Sequence, residues 1–198
     1  MMTGETQATS DPQPGGREPA PGELALVQGF LNTHWDLRAD GTEVLVSGEA
    51  LAGWLAARGL LPGRHPLGHG DLRRALAVRE GLRALAFHNG GRELDRDAIG
   101  EMEAASSGAR ALVGIGPGGP RFEADPDAGL DGAIGGLYAI VGRAMIDGSW
   151  QRLKACPGRD CGWAFYDQSR NQSARWCSMK VCGDREKSRA YYHRRSGF

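Results

Sequence analysis

Cysteine is scarce in this chain of 198 residues: there are four, all between positions 156 and 182. Aromatic residues make up only 7%. No apolar stretch approaches the ~20 residues that a bilayer-spanning helix needs, which predicts a soluble protein with no membrane partner. The opening Met1-Met2-Thr3-Gly4-Glu5-Thr6 has neither a basic segment nor an apolar run. That predicts no secretion signal and a cytoplasmic chain. In a reducing cytosol grouped cysteines bind metal more often than they cross-link. Net charge is lacking as well, with 24 Lys/Arg against 24 Asp/Glu.

That zero conceals a split. From Gln151 to Phe198 there are 11 Lys/Arg and 4 Asp/Glu, a balance of +7, so the rest of the chain carries −7. An acidic body with a basic tail points the tail at an anionic partner.

Residues 1–22 are rich in Pro, Gly, Thr, Gln and Glu and hold no large apolar residue beyond the first two Met. Their composition predicts disorder. Residues 23–149 then read as a helical domain. Leu24, Leu26, Val27, Phe30 and Leu31 share one helix face. Thr42 to Val46 reads as an extended entry. Ser47 reads as an N-cap, with Glu49 in the first turn and Gly59 as the stop beyond Leu51, Trp54, Leu55 and Arg58. Asp71 is expected to cap the clearest helix, which runs to His88-Asn89-Gly90-Gly91. Its Arg73, Arg74, Arg79 and Arg83 read as a solvated face, partly balanced by Glu80. Asp95 starts another helix, through Ile99 and Met102. Two short strands around Gly116-Pro117-Gly118-Gly119-Pro120 predict a hairpin. No Lys-Ser or Lys-Thr follows those glycines, so a phosphate loop is excluded. Leu130 to Ile146 is a weakly polar helix placed at the centre of the body, with Gly135, Gly136 and Gly142 allowing close approach.

Residues 150–198 form the last module. Cys156 and Cys161 make one pair, Cys177 and Cys182 the other, each with four intervening residues and with fifteen between the pairs. Two clustered pairs offer four thiolates to one tetrahedral zinc ion, two from each turn. A disulfide framework is the alternative, with three connectivities for four cysteines. A redox pair would favour two intervening residues. The runs Trp150–Ala155 and Gly162–Asp167 alternate as strands around the first pair, so a zinc-bearing hairpin is expected. Asp184 to Arg195 then reads as a helix capped near its start by Asp184. Arg185, Ser188, Arg189 and Tyr192 fall on one side of it. The candidate nucleic-acid contacts are Arg175, Lys180, Arg185, Lys187, Arg189, Arg194 and Arg195, some of which also offset the charge of a four-thiolate zinc site.

The run Arg175-Trp176-Cys177-Ser178-Met179-Lys180-Val181-Cys182-Gly183-Asp184-Arg185, with Cys156, Cys161 and the Gly162 to Asn171 stretch before it, resembles the CGNR zinc-finger proteins over residues 152–195. Asp184 stands where the family's name has Asn. Both cap helices, but a carboxylate there would be repelled by a base or phosphate. Phe30-Leu31-Asn32-Thr33, the Trp54-Leu55 helix and Ala75 to Glu80 resemble that family's N-terminal partner, the ABATE domain. The resemblance implies a bacterial transcriptional regulator, called stress-induced, with Cys156, Cys161, Cys177 and Cys182 as ligands of one structural zinc.

The fold expected is therefore mainly α, with a short hairpin in the helical body and a small zinc module of a hairpin plus a basic helix. DNA is the expected partner of that module, with the body sensing an effector or forming a homodimer. A protein-interaction role for the zinc module is the alternative, with Arg185 and Arg189 then paired to carboxylates. An enzyme is not expected, because four cysteines leave zinc no open position. His34 with Asp36 is the one compact acid–imidazole pair, and His65 and His69 read as solvated loop residues. No ligand is named by the sequence. Trp35, Trp54 and Tyr138 are candidates to line a pocket, with ordinary core the simpler role.

Overall fold

The computed structural model describes residues 13, 16–36, 42–62 and 65–195, and only the backbone of Thr42, His193 and Arg194. It is mainly α, with six helices and three antiparallel pairs of short strands among the described residues.

Helix α1 (Leu24–Leu31) buries Leu24, Val27, Phe30 and Leu31 on the face that their spacing predicts. Strands β1 (His34–Trp35) and β2 (Thr42–Glu43) pair directly after it. Helix α2 (Gly48–Ala56) starts at Ser47, whose Oγ accepts from the Ala50 N–H at 3.1 Å. Gly59 stops it at φ +70°, so that its N–H and that of Leu60 turn back onto the Ala56 and Leu55 carbonyls. That closure satisfies the orphan acceptors of the last turn.

Helix α3 (His69–Asn89) begins two residues before Asp71. Asp71 therefore sits inside the first turn rather than at the cap, and its Oδ2 reaches back to the Gly68 N–H at 2.8 Å. Helix α4 (Arg96–Ala105) is capped by Asp95, which accepts from the Ala98 N–H at 3.0 Å, and lies along α3. Strands β3 (Ala111–Gly116) and β4 (Gly119–Ala124) form the expected hairpin.

Helix α5 (Leu130–Asp147) is buried along most of its length, between α1, α3 and the hairpin. A Cβ on Gly135 would stand 1.8 Å from the Arg110 carbonyl oxygen, so only glycine lets the β3 entry cross there. Gly136 touches Ala124 and Leu60, whereas Gly142 has open space around it and permits no approach.

Two packed groups result. The larger joins Val27, Phe30, Leu31, Leu51, Leu55, Leu82, Ile134 and Leu137 to Trp150, Leu153 and Tyr166. Burying each large apolar side chain contributes about 1.5–3 kcal/mol. The smaller centres on Cys156, Phe165, Cys177 and Cys182.

Of the segment 1–22 expected to be disordered, residues 1–12, 14 and 15 lie outside the described residues. The remainder is held by contacts that its composition does not announce. Arg17 donates to the Cys177 carbonyl at 2.7 Å and the Trp176 carbonyl at 3.0 Å, with its guanidinium 4.9 Å from the Phe165 ring centre. The Ala20 N–H meets Gln28 Oε1 at 2.6 Å.

Candidate metal centre

The first cysteine pair sits on the turn between β5 (Leu153–Ala155) and β6 (Ala164–Tyr166). Trp150–Arg152, expected as strand, is instead a short 3-10 turn that leads into β5. The Cys156 N–H donates to the Trp163 carbonyl at 2.9 Å, extending the ladder one step beyond the strands. Gly158 lies inside the turn, where an added Cβ would stand 3.3 Å from Cys182 Sγ and 3.5 Å from Cys156 Sγ. A side chain there would crowd two sulfurs at once.

In the second pair Cys177 precedes a π turn, Met179–Gly183, that carries Cys182 and runs straight into helix α6 (Asp184–Arg195). Cys182 is therefore part of the helical run, and the Gly183 N–H reaches back to the Ser178 carbonyl at 3.1 Å. Asp184 is consequently helical rather than an N-cap, and its carboxylate lies 3.8 Å from Lys187 Nζ.

All four Sγ atoms lie within 4.8 Å of one another. Cys161 and Cys177 are 3.7 Å apart, and Cys177 and Cys182 3.6 Å. Four sulfurs at the Zn–S distance of about 2.3 Å on a tetrahedron would be about 3.8 Å apart. The donor set and its spacing thus fit one structural zinc ion. None of the four is joined to another in a disulfide.

The sulfurs compete for charge. Hydrogen bonds from the Cys161 and Cys177 thiols, then backbone bonds at Cys177 and Gly158, draw the Cys156 thiol down to about 2. Sharing its proton with Cys156 pushes Cys161 up to about 12, and Cys177 and Cys182 are raised as well. A zinc dication replaces these protons, so its binding releases them and tightens as pH rises.

A buried carboxylate braces the module. Asp167 is fully buried and accepts from Lys154 Nζ at 2.7 Å, Ser169 Oγ at 2.6 Å, and the Ser169 and Ala174 N–H groups at 2.9 Å. Burial alone would raise its pKa, but the Lys154 ammonium and the Ser169 bonds hold it below the usual carboxylate range. Lys154 also donates to the Gln172 carbonyl at 2.5 Å, tying the segment before the second cysteine pair to β5.

The module is also built into the helical body. Asn32 bonds both backbone groups of Ala164, at 2.8 and 2.9 Å, so its amide pairs with β6 like a strand edge. Asn89 holds the Trp150 and Leu153 carbonyls at 2.8 and 2.9 Å. Arg83, one of the cations expected on a solvated face, is 2% exposed. Its Nη1 donates to the Gly162 carbonyl at 2.6 Å, and its Nη2 to the Leu31 and His34 carbonyls at 2.6 and 2.9 Å. Arg79, 3% exposed, clasps Glu43 at 2.8 and 2.7 Å and Thr33 Oγ1 at 3.0 Å. Glu80 bonds both arginines at 2.8 Å. Burial would raise the pKa of Glu43 and Glu80, yet Arg79 and the Leu45 N–H lower Glu43, and Arg83 with Arg79 lowers Glu80. Helix periodicity could not separate these arginines from the exposed Arg73, and Glu80, one and three positions away, was the only nearby partner.

The basic residues divide. Lys180, Arg185, Ser188, Arg189 and Tyr192 line one open groove of about 650 Å³ with Val181 and Asp184, so the predicted helix face is real. Arg185 is exposed and makes no ion pair among the described residues. Arg189 pairs with Glu186 at 2.7 Å and Lys187 with Asp184. Arg195 bonds the Tyr191 hydroxyl at 2.7 Å. Arg175 lies apart, beside Trp176 and on a second groove with Lys154 and Arg92. The side chain of Arg194 lies outside the described residues.

The pocket candidates do not converge. Trp54 packs at a tilt against Phe30 in the core, Tyr138 is half-buried on α5, and Trp35 meets Trp163 at 5.6 Å beside the cysteines. His34 has a lowered pKa through burial and the nearby Arg79, and Asp36 gives its N–H to the Cys161 carbonyl. Among the described residues, no metal-holding group of three or more includes His65 or His69.

A helical body carrying a closed four-cysteine zinc finger is the class that this geometry defines. The chain belongs to the ABATE family, whose model, "Putative stress-induced transcription regulator", matches residues 22–147; the CGNR zinc finger matches residues 152–195. No curated protein matches the chain. Of the motif residues that resemble ABATE, Asn32 bonds the zinc finger directly at Ala164, and Glu80 holds Arg83, which bonds Gly162.

Proposed function

We propose that this chain is a transcriptional regulator that binds duplex DNA through its zinc module. The groove along α6 carries the reading. Lys180, Arg185 and Arg189 project from a helix whose first turn is anchored by the ligand Cys182. A rigid base fixes the direction of the cations, so less ordering entropy opposes phosphate binding. The excess of +7 in residues 151–198 supplies the long-range attraction. Zinc acts structurally in this reading, since four thiolates fill its coordination and leave no position for a substrate.

The alternative, a protein-docking module, draws support from the Arg189–Glu186 pair and from Val181 and Met179, which are exposed beside the groove. Arg185 separates the two, because it has no carboxylate partner among the described residues. The test is selection of bound fragments from a genomic DNA library by the zinc-loaded protein at low salt. Enrichment that Arg185→Ala abolishes supports DNA binding. Absence of any enriched or retained fragment refutes it.

A further inference from the structure

A hollow of about 220 Å³ lies where the helical body meets the zinc finger, and we propose that it takes a small carboxylate carrying a single aromatic ring. Trp35 and Asp36, at the end of β1, form one wall; the turn that carries Cys161 and the start of α6 form the others. The hollow is distinct from the metal position. Zinc would sit about 2.3 Å from each of four sulfurs, too close for anything the size of a water. The open space therefore lies outside the tetrahedron, along Cys161, Cys177 and Cys182.

Its apolar lining is left partly in water. Trp35 is 39% and Val181 43% exposed, and Trp163 is half-buried. The two indoles meet edge to face at 5.6 Å, with 66° between their planes. A ring laid against them gains apolar burial and further edge-to-face contacts. A cavity of about 150 Å³ can hold benzene, so this one admits one ring with a small substituent. It is smaller than the roughly 300–1,000 Å³ of pockets for drug-sized ligands. The walls are held to each other by the Asp36 N–H, which donates to the Cys161 carbonyl at 3.1 Å. Asp36 and Asp160, both on the hollow, have φ of +58° and +60°. Left-handed backbone is uncommon outside glycine, and such outliers collect at ligand sites.

The charges select an acid. Three arginines and three carboxylates border the hollow, but they are not equally engaged. Glu186 accepts from Arg189 at 2.7 Å and from the Arg159 N–H at 3.3 Å. Asp160 pairs with Arg159 at 3.7 Å, and Asp36 is not free. Arg185 makes no ion pair among the described residues. What remains is one guanidinium beside two indoles. A carboxylate meets a guanidinium through two parallel N–H donors, and the ring behind it covers the indoles and Val181. A neutral ring leaves Arg185 without a counter-charge, a cation is repelled by it, and an aliphatic acid leaves the indoles wet. Arg185 also lines the α6 groove. A bound acid therefore competes with phosphate for it, a consequence that rests on the DNA-binding reading, whereas the ligand site itself does not.

Calorimetric titration of the full zinc-loaded chain with benzoate, phenylacetate and 4-hydroxybenzoate tests the site. At least one acid is expected to saturate a single site per chain below about 10 mM, with benzamide and acetate about tenfold weaker or more. Arg185→Gln is expected to weaken that acid about tenfold or more and to erase its advantage over the amide, with zinc content and melt unchanged. Trp35→Ala is expected to weaken acid and amide alike. Failure of all three acids to saturate overturns the inference. So does acid binding that Arg185→Gln leaves intact, or amide binding as tight as that of the acid. Should Trp35→Ala fail to fold, Arg185→Gln decides. With DNA present, a saturating acid is expected to weaken DNA binding about tenfold, and unchanged DNA affinity overturns the shared use of Arg185. Absence of any DNA binding counts against the regulator reading alone and leaves the calorimetric result standing.

Discussion

Replacing Arg83 by Ala tests whether the zinc finger and the helical body are welded by a buried cation. The guanidinium makes four close bonds: to Gly162, Leu31 and His34 carbonyls and to Glu80 Oε2, all at 2.6–2.9 Å. Truncation leaves buried carbonyls without donors and Glu80 without one of its two cations. Breaking a buried ion pair from one side costs about 3–5 kcal/mol. For a chain of this size that lowers Tm by about 6–20 °C. Arg83→Lys keeps the charge but cannot span three divergent carbonyls, so it falls between, losing about 1–3 kcal/mol. The assay is thermal melting of the zinc-loaded protein followed by circular dichroism. A chelator competition run in parallel reports the metal, because Gly162 directly follows the ligand Cys161. Zinc is expected to leave Arg83→Ala faster than wild type. A melt displaced by less than about 2 °C, with unchanged zinc release, would refute the weld.

Other consequences are independent of that one. Asp167→Asn leaves Lys154, 6% exposed, without its counter-charge and is expected to cost about 3 kcal/mol or more, read by urea denaturation. For pH, the His34 pKa lies below its ordinary 6.5, so the unfolded chain takes up that proton first as pH falls. Stability is therefore lost as pH drops below 6.5, and His34→Asn should flatten that part of the Tm profile. Glu43 and Glu80 sit below the ordinary 4.5, so their stabilisation is complete above 4.5 and is lost as pH falls through their folded values. Acid titration of Glu80→Gln should show a smaller loss in that range than wild type does.

The metal site was legible because cysteine spacing encodes its own chemistry: four scarce thiols in two pairs leave few other arrangements. The helix starts at Ser47 and Asp95 were legible because capping is local, and so was the hairpin at Pro117-Gly118. Arg79 and Arg83 were not, since their partners lie 36 to 79 positions away in sequence. A helix wheel marks a long cation as solvent-facing unless its distant acceptors are known. Asp167 was hidden although Lys154, Ser169 and Ala174 are near it in sequence, because only the closed hairpin aims all three at one carboxylate. Arg17 escaped notice because a segment poor in apolar residues was held instead by carbonyls of the zinc loop and by one aromatic ring. At Asp184 the capping rule failed because a π turn carrying Cys182 extends the helix backward past it.

Salt dependence of DNA binding by the zinc-loaded protein, followed by fluorescence anisotropy, tests the central claim most directly. If Lys180, Arg185 and Arg189 each neutralise a phosphate, log K falls against log salt with a slope of about −2.7 or steeper. Arg185→Ala should make that slope shallower by about 1 while leaving the melt and zinc content of the protein unchanged. A slope near zero, or one that Arg185→Ala does not alter, would contradict the assignment of α6 as the DNA-binding face.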